Sequence, residues 1–81
     1  MVIERKIFLE LCQKVSVIPE IHNIRKNIPD ELLVKYDNIK YYPVSYILSF
    51  DKGKPVHTAV LHDTNTNSII QVDLGKVRQN E

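Results

Sequence analysis

Tyr42-Pro-Val-Ser-Tyr-Ile-Leu-Ser-Phe50, Val56-His-Thr-Ala-Val-Leu-His62 and Ser68-Ile-Ile-Gln-Val-Asp-Leu74 decide the fold of this chain. Each run is rich in β-branched and aromatic residues, which suit a pleated, half-buried surface. Asp51-Lys-Gly-Lys54 and Asp63-Thr-Asn-Thr-Asn67 separate them, and both are turn chemistry, able to take positive φ or to bond the nearby backbone. Strand, turn, strand, turn, strand is the pattern of an antiparallel meander. Upstream, Leu33-Val-Lys-Tyr36, Asp37-Asn38 and Ile39-Lys-Tyr-Tyr42 read as a tight hairpin whose two central residues both tolerate positive φ. The expected strands therefore lie at about 32–36, 39–50, 55–62 and 68–74.

The facing of these strands carries further information. Pro43 removes a ladder donor inside the second strand, so it marks an edge or a bulge. A bulge would also reconcile Ile39 and Tyr41, of one parity, with Val44, Tyr46, Leu48 and Phe50 of the other. In the third strand Val56, Thr58 and Val60 share one face and His57, Ala59 and Leu61 the other, and neither set is clearly polar. Ile70, Val72 and Leu74 form one face of the fourth strand, with Ile69 on the polar side. Strands with apolar residues on both faces are central or covered twice. Gly75 ends the last strand, and Arg78–Glu81 reads as a frayed tail.

Ahead of the strands, Ile3, Ile7, Phe8, Leu11 and Val15 recur at spacings of three and four. Their period predicts an amphipathic helix over about residues 3–15, with Glu10 and Lys14 placed for an i,i+4 ion pair. Ser16-Val-Ile-Pro19 stops it, because the residue before proline avoids the α region. Pro19 can open a short second helix through Ile21, Ile24 and Arg25, and Pro29-Asp30-Glu31 one further helical turn. The expectation is one small α+β domain over residues 1–81, helical over 1–31 and a β-meander over 32–77. Its N-terminal amphipathic helix packs on a three- to four-stranded antiparallel sheet. One helix covers one face, so the sheet either curls into a small SH3-like barrel or meets a partner.

Composition bounds what such a domain can do. The chain has 81 residues, 43% of them hydrophobic and 26% charged, with a net charge of +1. That is an ordinary globular balance without the basic excess of a dedicated nucleic-acid domain. Cys12 is the only cysteine, so neither an intramolecular disulfide nor a cysteine-based zinc site can form. Met1–Lys6 lacks the features of a signal peptide, and no apolar run approaches the ~20 residues that span a bilayer. The expected location is cytoplasmic, and no membrane association is expected.

The chemistry-bearing residues do not converge. His57 and His62, five apart on one strand, face opposite ways, and His22 lies elsewhere, so no metal site and no cofactor is expected. Asp63-Thr-Asn-Thr-Asn67 begins like a calcium loop, but Ser68 replaces the glycine of the sharp turn and Leu74 the bidentate glutamate. Cys12 lies late in its helix beside the apolar stripe, where a cysteine behaves as a small hydrophobe. The serines lack a glycine-flanked elbow, and Gly53 and Gly75 do not make a phosphate-cradling loop.

These features point away from catalysis and towards binding. Ile47 and Ile69 fall on otherwise polar strand faces, and Ala59 and Leu61 give the third strand a second apolar face. Leaving such side chains in water forgoes about 1.5–3 kcal/mol each, so these four residues are the expected interface of a self-associating protein–protein interaction or regulatory module. The alternative is nucleic-acid binding by Lys35, Lys40, Tyr41, Tyr42, Lys52 and Lys54, the tyrosines stacking on bases and the lysines holding phosphates. A third reading is a small inhibitor of a host protein, of the kind mobile elements encode.

Overall fold

In the computed structural model, which describes residues 2–17, 29–63 and 65–80, the apolar stripe forms helix α1 over Arg5–Ser16. It starts two residues later than its periodicity predicts. Glu4 is extended (φ −76°, ψ 147°) and its side chain makes no capping bond. Ile3 is recruited elsewhere: its N–H donates to the Val77 carbonyl at 3.0 Å, and Val2 bridges to Arg78. At the other end Ser16 Oγ donates to the Gln13 carbonyl at 2.7 Å, while Lys14 complements the negative end of the helix dipole. Glu10 and Lys14 do not pair; among the described residues the one ion pair joins Lys40 to Asp30 at 3.5 Å.

The expected second helix lies outside the described residues. The expected turn after Pro29 is present as one 3-10 turn, Asp30–Leu32. The N–H groups of Leu32 and Leu33 donate to Pro29 and Asp30 at 2.9 and 3.0 Å.

Among the described residues five antiparallel strands follow: β1 Val34–Tyr36, β2 Ile39–Asp51, β3 Lys54–Asp63, β4 Ser68–Asp73 and, after a 3-10 turn at Leu74–Lys76, β5 Arg78–Gln79. Their spatial order is β4-β3-β2-β1-β5. The sheet is open, since β4 and β5 lie at opposite edges, and it is not closed into a barrel. Nor do Arg78 and Gln79 fray: Gln79 and Arg78 pair with Val34 and Lys35.

The turns form as their residues dictate. Asp37 and Asn38 take φ +54° and +63°, and Lys52 and Gly53 take +52° and +79°. Positive φ at both central residues is the twist-matched geometry of a two-residue hairpin.

The ladder between β2 and β3 shifts register between Pro43 and Ser45, leaving Val44 as the extra residue of a bulge. Pro43 stands opposite Leu61 and Tyr46 opposite Ala59, so both parities of β2 reach the same face. That face meets α1. Phe8 and Cys12 pack with Val34, Tyr41, Ala59, Leu61, Leu74, Val77 and Ile3, flanked by Ile7, Leu11, Tyr36, Tyr46, Ile70 and Val72. Each large side chain fully buried there stabilises the fold by about 1.5–3 kcal/mol. Over Ala59–His62, β3 is buried on both faces.

Candidate functional site

The long hairpin outruns its neighbours. β1 stops pairing with β2 at Tyr41, and β4 stops pairing with β3 at Thr58. Beyond them, Leu48–Asp51 and Pro55–His57 continue as a two-stranded arm closed by the Lys52–Gly53 turn. The molecule is accordingly elongated, 42 × 23 × 22 Å. Just before the arm Ile47 is 42% exposed, and on the arm Leu48 is 46%, Phe50 69% and Val56 39% exposed. Tyr46 and His57 brace its base. Their rings stack at 5.8 Å, and the tyrosine hydroxyl shares a hydrogen bond with His57 Nδ1.

The two edges of the arm differ. Asp51 and Lys54 flank a two-residue turn and so form a mutually hydrogen-bonded pair, as do alternate pairs further down, Ser49–Val56 and Ile47–Thr58. The intervening residues of β2, Tyr46, Leu48 and Phe50, aim their N–H and C=O groups away from β3. No described strand pairs with that outer edge beyond Tyr41. On the β3 side the outward position nearest the tip is Pro55, which has no N–H to offer.

The predicted interface residues divide. Ile47 and Ile69 are exposed, on the sheet face away from α1, opposite Thr58 and His62. Ala59 and Leu61 are fully buried beneath α1. They are core residues, because the face assigned to a partner is the one the helix covers. Leu48, Phe50 and Val56 were not singled out from the sequence. The uncharged run from Tyr41 to Phe50, longer than its neighbouring strands, was the available signal.

The nucleic-acid set does not assemble either. Tyr41 and Tyr42 are 8% and 2% exposed and present no ring face to a base. Tyr41 packs against Tyr36, and Tyr42 sits edge-on to His62 at 4.5 Å. Burial, then the nearby carboxylates of Asp63 and Asp37, hold the Tyr41 phenol above its ordinary pKa. Lys35 and Lys40 stand directly opposite each other. Lys52 and Lys54 lie at the arm's tip, roughly 35 Å along β2 at ~3.3 Å per residue. The cations that do join Lys35 are Lys76 and Arg78, around a cavity of about 300 Å³. Reading Arg78–Glu81 as a frayed tail hides Arg78, and Lys76 lies in a 3-10 turn that the strand pattern does not mark.

His62, Asp63 and Cys12 are engaged in the fold. His62 Nε2–H donates to Asn67 Oδ1 at 2.8 Å. The Asp63–Asn67 loop bonds itself: Asn65 N–H donates to Asp63 Oδ1 at 2.8 Å, and Asn67 N–H to the Asp63 carbonyl at 2.9 Å. Burial pushes the Cys12 thiol up to about 11, the reverse of what a nucleophile needs. His22 lies outside the described residues. Among the described residues no helix is long and apolar enough to cross a membrane. No protein-family model, curated protein or solved structure matches the chain.

Proposed function

We propose that the protein is a small cytoplasmic interaction module that works by binding rather than catalysis, and that it self-associates through the outer edge of β2. The observation that carries this reading is the edge itself. Tyr46, Leu48 and Phe50 offer outward backbone groups between exposed apolar side chains, and no charge interrupts Tyr41–Phe50. Natural sheets blunt such edges with lysine, proline or a covering element. Here Pro55 blunts the β3 side of the arm, and among the described residues nothing comparable protects Tyr46–Phe50.

A second copy is the occupant this edge suits. Antiparallel pairing about a twofold axis at Leu48 sets each Tyr46 opposite the other copy's Phe50, an aromatic pair worth about 0.2–1 kcal/mol across strands. It also completes the outward hydrogen bonds on both sides symmetrically. The buried Cys12 and His62 and the half-buried His57, hydrogen-bonded to Tyr46, favour binding over catalysis.

Sedimentation equilibrium across micromolar concentrations tests the proposal. Wild type should form a dimer. Leu48→Pro, which deletes an outward N–H while leaving the ladder to β3 intact, should be a folded monomer. A wild type that stays monomeric throughout overturns self-association. A Leu48→Pro protein that dimerises like wild type moves the interface away from this edge.

A further inference from the structure

We infer that the sheet end formed by β1, β5 and the Leu74–Lys76 turn is a binding site for a phosphate group, held by Lys35, Lys76 and Arg78. The inference is independent of self-association, because these residues lie at the far end of β2 from the arm's tip.

Register is the first argument. Lys35 pairs with Lys40 on one side and with Arg78 on the other. Directly paired residues project from the same face, so Lys40, Lys35 and Arg78 form one row of cations across three adjacent strands. Val34 and Val77 are buried in the core, which turns Lys35 and Arg78 to the face away from α1. Like charges directly opposite each other destabilise a sheet. A row of three is a repulsion that an anion would relieve.

Concavity is the second. The cavity of about 300 Å³ is lined by Lys35, Asp37, Asn38, Lys76 and Arg78. Lys35 is only half exposed, so its charge is less screened than that of a free surface lysine. Among the described residues the single ion pair draws off Lys40, to Asp30. Lys35, Lys76 and Arg78 keep their charge for a ligand, and Asp37 pairs with none of them.

Charge balance is the third. Three cations and one carboxylate give the lining a local charge of +2 in a chain whose net charge is only +1. A phosphomonoester carries about −1.5 to −2 at neutral pH. Arg78 supplies the planar fork that grips two phosphate oxygens, the lysines act as point charges, and the Asn38 amide can donate to a third oxygen. Lys40, opposite Lys35, is drawn off to Asp30, and no charge falls between Tyr41 and Phe50 before Lys52 and Lys54 at the arm's tip, so among the described residues no cationic track runs along β2. That favours a phosphorylated small molecule over a nucleic-acid strand.

The test is an amide NMR titration of the whole protein with inorganic phosphate and pyrophosphate, at constant ionic strength set by chloride. Saturable shifts centred on Lys35, Asn38, Lys76 and Arg78 are expected, with pyrophosphate the tighter ligand. Arg78→Ala should weaken pyrophosphate at least ten-fold, whereas Lys52→Ala should leave it unchanged. Asp37→Asn, which removes the one opposing charge, should strengthen it several-fold, an outcome that no misfolded variant could imitate. Non-saturating shifts, or shifts shared equally with Lys52 and Lys54, would overturn the site. A short single-stranded oligonucleotide that binds more tightly than pyrophosphate and also shifts the arm would overturn the small-molecule assignment.

Discussion

Cys12 shows how much of this protein is decided by where one side chain is put. Its thiol lies under α1 in the core, and burial lifts its pKa from 9.0 to about 11. The folded state therefore binds that proton more tightly than the unfolded chain does. Its contribution to stability is complete below the unfolded value near 9 and is lost as pH rises towards 11. A urea midpoint series at pH 8, 9 and 10.5 should show that decline, and Cys12→Ala should flatten it. Native protein should react with a disulfide reagent at pH 8 far more slowly than unfolded protein; equal rates would mean that the thiol is reached without unfolding. The sequence was informative about this residue, because its place in the apolar stripe already argued for a buried thiol. It misled at Tyr41 and Tyr42, whose aromatic character fits a stacking platform and a core equally well. Only the register on β2, set by the turn and the bulge, distinguishes the two.

At the scale of the element, β2 holds the most consequential irregularity. The parity conflict between Ile39–Tyr41 and Tyr46–Phe50 was legible as a bulge at Pro43, and the extra residue is Val44. Without it, one half of the strand must turn its side chains to the other face. Deleting Val44 should therefore expel either Tyr41 or Tyr46 from the core side, at a cost comparable to removing a buried aromatic, about 3–5 kcal/mol. Against a total stability of about 5–15 kcal/mol for a domain, that leaves little fold. Val44→Thr, which keeps the residue count, should shift the urea midpoint only slightly. A deletion variant with the wild-type midpoint would mean that the register is fixed elsewhere. The helix was legible too, but its first turn was not. Ile3 fits the helical period and is instead drawn into a bridge beside β5, a contact made by residues distant in sequence and invisible to local pattern.

For the whole molecule, the missing piece was β5. Arg78 and Gln79 read as a polar tail, and nothing local marks so short a strand. Its omission concealed both the basic cavity and the way the sheet ends. An antiparallel sheet with an N-terminal helix on one face followed from the strand and helix periods, but its staying open rather than closing into a barrel did not. The overhanging arm followed only from comparing strand lengths, once β1 and β4 proved shorter than β2 and β3. The pairing of Val2 with Arg78, next to Ile3 with Val77, also sets how the protein yields under load. These two segments run antiparallel, so tension applied through the chain's two ends pulls from the same end of the pair. Their hydrogen bonds are then loaded one after another rather than together. Stretched end to end in an optical trap, the protein should open at low force by unzipping. Pulled between cysteines placed at positions 9 and 52, it should resist more, since that axis does not peel β5 away. Equal forces along the two axes would mean that the seam between the two ends is not the first contact to give.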